Sequence, residues 1–214
     1  MFREIEKSEL GLFNQTKLYN SDIPEDTIQN KYGYGSFTFN YKNKASIYLT
    51  KILIEKKEFG KALNYLTLAD IKYQVIFNDG TGSYMYLRAI NKLYALCFEG
   101  LNQYKKVIEL LLPSSLWHYN NNKILRRSLK EVYTFEERKV MKESAISSIS
   151  YITNESEFGE YVQGFIIVFN TKLNLGSVYL KNIKISPTEY FIKSYKDSYL
   201  YKDVFKFGNI LFND

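Results

Sequence analysis

The 214-residue chain is 45% hydrophobic and 24% charged, with only 3 prolines, so it belongs with folded globular chains rather than disordered or linker-rich ones. One cysteine and one histidine exclude an internal disulfide framework and leave too few groups for a thiolate–imidazole zinc site or a histidine-based triad. The net charge of +6 is spread over both halves, unlike the concentrated basic face of a dedicated DNA-binding domain.

Aromatic residues reach 17%, led by 20 tyrosines and 15 phenylalanines. Such a load fits surfaces that meet a partner, since aromatic rings dominate interface hot spots, and it fits equally a chain encoded by AT-rich DNA. The first twenty residues mix acids and bases without an apolar h-region, which argues against a signal peptide. The best apolar run, Phe165 to Phe169, is far too short to span a bilayer.

In chain order, residues 31–41 (KYGYGSFTFNY) alternate aromatic with small or polar residues and predict an aromatic loop or short strand that presents Tyr32 and Tyr34. Next, Tyr48, Leu49, Ile52 and Leu53 form an apolar stripe, the chain turns near Glu58-Phe59-Gly60, and Ala62, Leu63, Leu66 and Ala69 form a second stripe. Asn78 to Gly82 reads as a loop on turn chemistry. A second pair of stripes follows: Leu87, Ile90, Leu93, Tyr94, Cys97 and Phe98, then Tyr104, Val107, Ile108, Leu111 and Leu112, closed by Pro113. Setting Phe59 against Tyr104 aligns the two hairpins with a register of 45 residues. Beyond residue 113 the chain predicts further helices. Thr134-x-x-Glu137 and Ser186-Pro187-x-Glu189 have the capping-box form. Asn154 to Glu157 is a weaker start for a buried helix carrying Phe158, Tyr161, Val162, Phe165, Ile166 and Phe169, with a strand as the minority reading for Phe165 to Phe169. Residues 176–185 fit either strand or helix.

Ala95, Phe98, Gly100, Tyr104 and Val107, echoed by Leu53, Phe59 and Ala62, resemble the helical hairpins of the tetratricopeptide family. The resemblance covers residues 44–113, and it departs from the family in its spacing, about 34 residues there, in Thr50 at a small-residue position, and in the lack of a third copy. It implies helix-hairpin geometry and a protein-binding surface, and carries no catalytic residue. The expected fold is all-α: a single helical domain over 1–214, with two αα-hairpins over 44–113 and a helical C-terminal part over 114–214. A short β element has room near 165–185.

Two glycine-rich pieces, Gly33-Tyr34-Gly35-Ser36 and Gly80-Thr81-Gly82, match neither a P-loop nor a dinucleotide fingerprint. Cys97 falls on an apolar helix stripe, where cysteine acts as a small hydrophobe. The candidate protein contacts are Tyr32, Tyr34, Trp117, His118, Tyr195 and Tyr199, together with a basic stripe of Lys123, Arg126, Arg127 and Lys130 at i, i+3, i+4, i+7 spacing. No enzyme activity, cofactor or metal is expected.

In overall character, as a small lysine-, asparagine- and tyrosine-rich chain without a catalytic constellation, the sequence resembles immunity proteins of polymorphic-toxin and contact-dependent growth-inhibition systems. The resemblance implies a cytoplasmic inhibitor that occludes the active site or an exosite of a cognate toxin. The positive charge then points to a toxin with a neutral or acidic surface, or to an interface carried by tyrosines and a local acidic patch. The alternatives are a helical-repeat adaptor that binds a protein or peptide and, less favoured, a nucleic-acid-binding regulator using the basic stripe. No membrane association is expected.

Overall fold

The computed structural model describes residues 12–13, 37–73, 75–77, 80–116 and 122–205. The chain divides into two compact units, Met1–Asn102 and Gln103–Asp214.

In the first unit, strands β1 (Leu12–Phe13), β2 (Phe37–Asn40) and β3 (Ile76–Phe77) form a small antiparallel sheet in that order. The helices are α1 (Tyr41–Glu55), α2 (Phe59–Thr67) and α3 (Gly80–Gly100). Gly80 to Gly82, read as part of a loop, thus make the first turn of α3. Helix α2 packs on both α1 and α3, around a core of Leu66, Ile90 and Leu93. The α1 stripe differs from expectation: Tyr48 and Ile52 are exposed, while Asn43, Ala45, Ser46 and Thr50 are buried. Small polar residues can turn inward where their hydrogen bonds are met, as they are for Asn43 and Thr50 but not for the Ser46 hydroxyl, which is buried without a partner. The Thr50 hydroxyl donates to the Ser46 carbonyl at 2.9 Å, and Asn43 Nδ2 donates to the Ala69 carbonyl at 2.7 Å and the Tyr86 hydroxyl at 2.6 Å. Burial pushes the Cys97 thiol up to about 11, which keeps it an inert core residue.

The 45-residue register reappears in the backbone. Lys57 and Asn102 adopt φ of 58° and 57°. The residues that follow them, Glu58 (φ −88°, ψ 55°) and Gln103 (φ −92°, ψ 53°), precede α2 and α4 (Tyr104–Leu111) with almost the same angles. A left-handed residue after a helix satisfies its last carbonyls and re-aims the chain.

The second unit contains α4, α5 (Asn122–Val132), α6 (Phe135–Ser147), strands β4 (Ser150–Ser156), β5 (Gly159–Val168) and β6 (Thr171–Tyr179), and α7 (Pro187–Asp197). Thr134 and Ser186 each cap a helix through a reciprocal box. The all-α expectation is overturned here. Residues 150–179 form a three-stranded antiparallel meander, β4-β5-β6, and the fold is mixed α/β, though largely helical. Burial along β5 alternates strictly, with Val162, Gly164, Ile166 and Val168 inward. Three of the four outward positions, Tyr161, Phe165 and Ile167, are also apolar, with Gln163 between them. With apolar residues on both faces, the period-2 signal vanishes and a spurious i, i+3, i+4 pattern remains.

The core of this unit joins that inward face to Leu125, Leu129, Leu173, Phe191, Tyr195 and Phe205. The β5–β6 turn places Phe169 and Asn170 at φ of 49° and 60°, the two-residue geometry that matches strand twist. Phenylalanine is a poor residue for that conformation. It is held there by stacking on Tyr133 at 4.9 Å and Phe205 at 5.7 Å between centroids.

Candidate functional site

Because the meander is built from neighbouring hairpins, its strand register sets what each face displays. Ile152 lies opposite Gln163, Ile167 opposite Lys172 and Tyr161 opposite Tyr179, so these residues share the outward face with Phe165. Ile152 and Ile167 are each 49% exposed. Ser148 extends the ladder past the end of β4, its hydroxyl donating to the Ile167 carbonyl at 3.3 Å and accepting from the Ile167 N–H at 2.9 Å. The outward face is therefore a rigid platform rather than a loop. The ammonium of Lys172 lies 4.0 Å from the centroid of the Phe165 ring, a favourable cation–π distance.

At the β4–β5 turn the face ends in a cavity of about 390 Å³ lined by Phe158, Tyr161 and Tyr179 with Ser156, Glu157 and Ser177. Tyr161 and Tyr179 meet edge to face at 5.9 Å. Phe158 is 64% exposed, at the tip of a two-residue turn closed by Gly159 at φ 111°. Glu157 lines the cavity, and Glu155 and Glu160, a cross-strand pair on the opposite face of the hairpin, are exposed as well. No lysine or arginine lies between Lys142 and Lys172 in the sequence, and the base that reaches this end is Lys181, through the Phe158 carbonyl at 3.2 Å.

Among the described residues, the candidate contacts named from sequence are not all at the surface. Tyr32, Tyr34, Trp117 and His118 lie outside the described residues. Lys123, Arg127 and Lys130 are exposed on one face of α5, with Arg126 half-buried beside them. The opposite face, Ile124, Leu125 and Leu129, is core. The Arg126 Nε is buried without a hydrogen-bond partner. Tyr199 is 45% exposed and borders a cleft of about 620 Å³ with Leu175, Ile183, Tyr190 and Lys193.

Tyr195 belongs to the core: it is fully buried, and its hydroxyl has no protein partner. Burial, and secondarily Tyr201, hold its phenol well above the usual tyrosine range. An unsatisfied buried hydroxyl is a cost, so Tyr195→Phe is expected to stabilise the protein by about 1 kcal/mol in a urea melt. The sign with pH follows from linkage: the unfolded tyrosine ionises near pH 10 and the folded one later. Its contribution is full below that pH and is lost as pH rises above it. The phenylalanine variant is expected to lose less stability between about pH 9.5 and 11.

The outward sheet residues escape sequence reasoning because Phe158 to Phe169 fits a helix. The signal that could find them is the base-free stretch between Lys142 and Lys172, with three glutamates, Glu155, Glu157 and Glu160, around Gly159. Among the described residues no group of His, Cys, Asp and Glu is placed to hold a metal ion, and no helix is long and apolar enough to cross a membrane. No family model, curated protein or solved structure matches the chain.

Proposed function

We propose that this chain is a protein-binding inhibitor that neutralises a cognate bacterial toxin, docking the outward face of β4-β5-β6 over the toxin's active site or an exosite. The observation that carries the reading is that open face. It presents Ile152, Phe165 and Ile167 on a hydrogen-bonded sheet, next to an aromatic end lined by Glu157. An apolar centre with aromatic residues and a charged rim is the anatomy of a specific protein interface. The glutamates at that end also answer the difficulty of the net positive charge, because contact with a basic toxin requires local acidity, not global. In this reading the chain acts in the cytoplasm as a binder, not an enzyme, and needs no cofactor.

A helical-repeat adaptor is the second reading, favoured by the matching turns at Lys57 and Asn102. Capture of the tagged chain's partner from its native host at moderate salt, followed by expression of that partner, separates the two. An inhibitor's partner arrests growth when expressed alone and ceases to do so when this chain is co-expressed. A harmless partner, or recovery of nucleic acid that disappears as salt rises, overturns the inhibitor reading.

A further inference from the structure

We infer that the cavity at the β4–β5 turn is a receptor for one basic side chain, a lysine or arginine presented by the protein partner. The inference deepens the reading above by naming the chemistry of the partner's contact. Three observations converge on a cation. The walls are the rings of Phe158, Tyr161 and Tyr179, with the tyrosines at an interplanar angle of 62°, and ring faces attract cations through their quadrupole. The one charged side chain that lines the cavity is an acid, Glu157 in the turn. Glu155 and Glu160, paired across the hairpin, project from the opposite face of the sheet and add negative charge at longer range.

The third observation is that the chain already brings an ammonium of its own there. Lys181 Nζ donates to the Phe158 carbonyl at 3.2 Å and lies 5.6 Å from the Tyr179 centroid. At that distance it grazes the ring without covering it, leaving the cavity open. Lys181 is a weak internal competitor for the position a partner's lysine or arginine would take. An arriving base displaces it toward solvent, where its charge is hydrated.

The test uses the full chain with Nα-acetyl-lysine methylamide and Nα-acetyl-arginine methylamide as probes, and the norleucine analogue as the neutral control. Ring-proton resonances of Phe158, Tyr161 and Tyr179 are followed by NMR. Saturable shifts with the two cations and none with norleucine are expected. Phe158→Ser, at an exposed turn tip that does not reach the core, should raise the half-saturation concentration about threefold, and Lys181→Met should lower it about threefold. The opposite signs distinguish a cation receptor from general loosening of the hairpin. Absence of ring shifts, equal shifts with norleucine, or weaker binding in Lys181→Met overturns the inference. A chain that fails this titration yet still rescues growth loses the cation receptor and keeps the inhibitor reading; one that passes it and rescues nothing loses the inhibitor reading alone.

Discussion

Gly164→Val is expected to unfold most of the Gln103–Asp214 unit, and Gly164→Ala to destabilise it by about 2–3 kcal/mol, read as a shift of the urea midpoint at constant slope. Gly164 sits in the middle of β5, opposite Gly176 of β6. A Cβ built on it falls inside the ring of Phe191, which is fully buried. The paired glycines let an α7 ring rest directly on sheet backbone. Phe191 has no ready retreat, because Tyr190 packs edge-on against it at 5.3 Å. Valine is the better strand former by up to about 1 kcal/mol, but overpacking a rigid core costs about 1–3 kcal/mol for a small excess and more for a branched side chain, so the collision wins. A total stability of about 5–15 kcal/mol leaves little margin. Adding Phe191→Leu to Gly164→Ala should restore part of the loss, whereas Phe191→Leu alone should destabilise. Strictly additive losses in that cycle would mean that ring and glycine do not collide.

Ile152→Asp combined with Ile167→Asp is expected to weaken binding of the proposed partner at least about 100-fold while moving the unfolding midpoint little. Both side chains are about half exposed on the outward sheet face, so neither leaves a cavity. Ile167 faces Lys172 across the strands, and an aspartate there gains an opposite-charge partner. In the complex the same carboxylates would be stranded in a desolvated apolar patch, a loss of several kcal/mol for the pair. Isothermal titration of the variant with the captured partner measures the effect. Unchanged affinity in a variant that melts normally would move the interface off this face, and the basic face of α5 would be the next surface to alter.

Legibility from sequence depends on how local the determinant is. The capping boxes at Thr134 and Ser186 are readable because four consecutive residues contain the whole interaction. The turns at Lys57 and Asn102 are readable because each lies between two amphipathic stripes. The meander is not readable by the same means. Strand recognition rests on contrast between faces, and β5 has apolar residues on both, inward for the core and outward on the face proposed to meet a partner. The property that hides the strand is thus the one on which the proposed interface rests. The α1 stripe fails for a related reason: Asn43 and Thr50 face inward through specific hydrogen bonds, which periodicity cannot anticipate. Tyr195 and Tyr199 show the limit for single residues, four positions apart on the chain yet one in the core and the other at the surface.

The β5–β6 turn also bears on the order in which the second unit assembles. Its leading residue is Phe169, whose left-handed backbone is retained by rings from Tyr133, before the sheet, and Phe205, after α7. An isolated hairpin with an Asn-Gly turn can close within microseconds on local preference alone. This one closes less readily, because a left-handed phenylalanine costs about 1–2 kcal/mol until segments distant in sequence are gathered around it. Strand pairing is therefore expected to follow docking of the flanking helices, and a chain stalled before it would expose the edges of β5 and β6 together with the apolar residues of both faces.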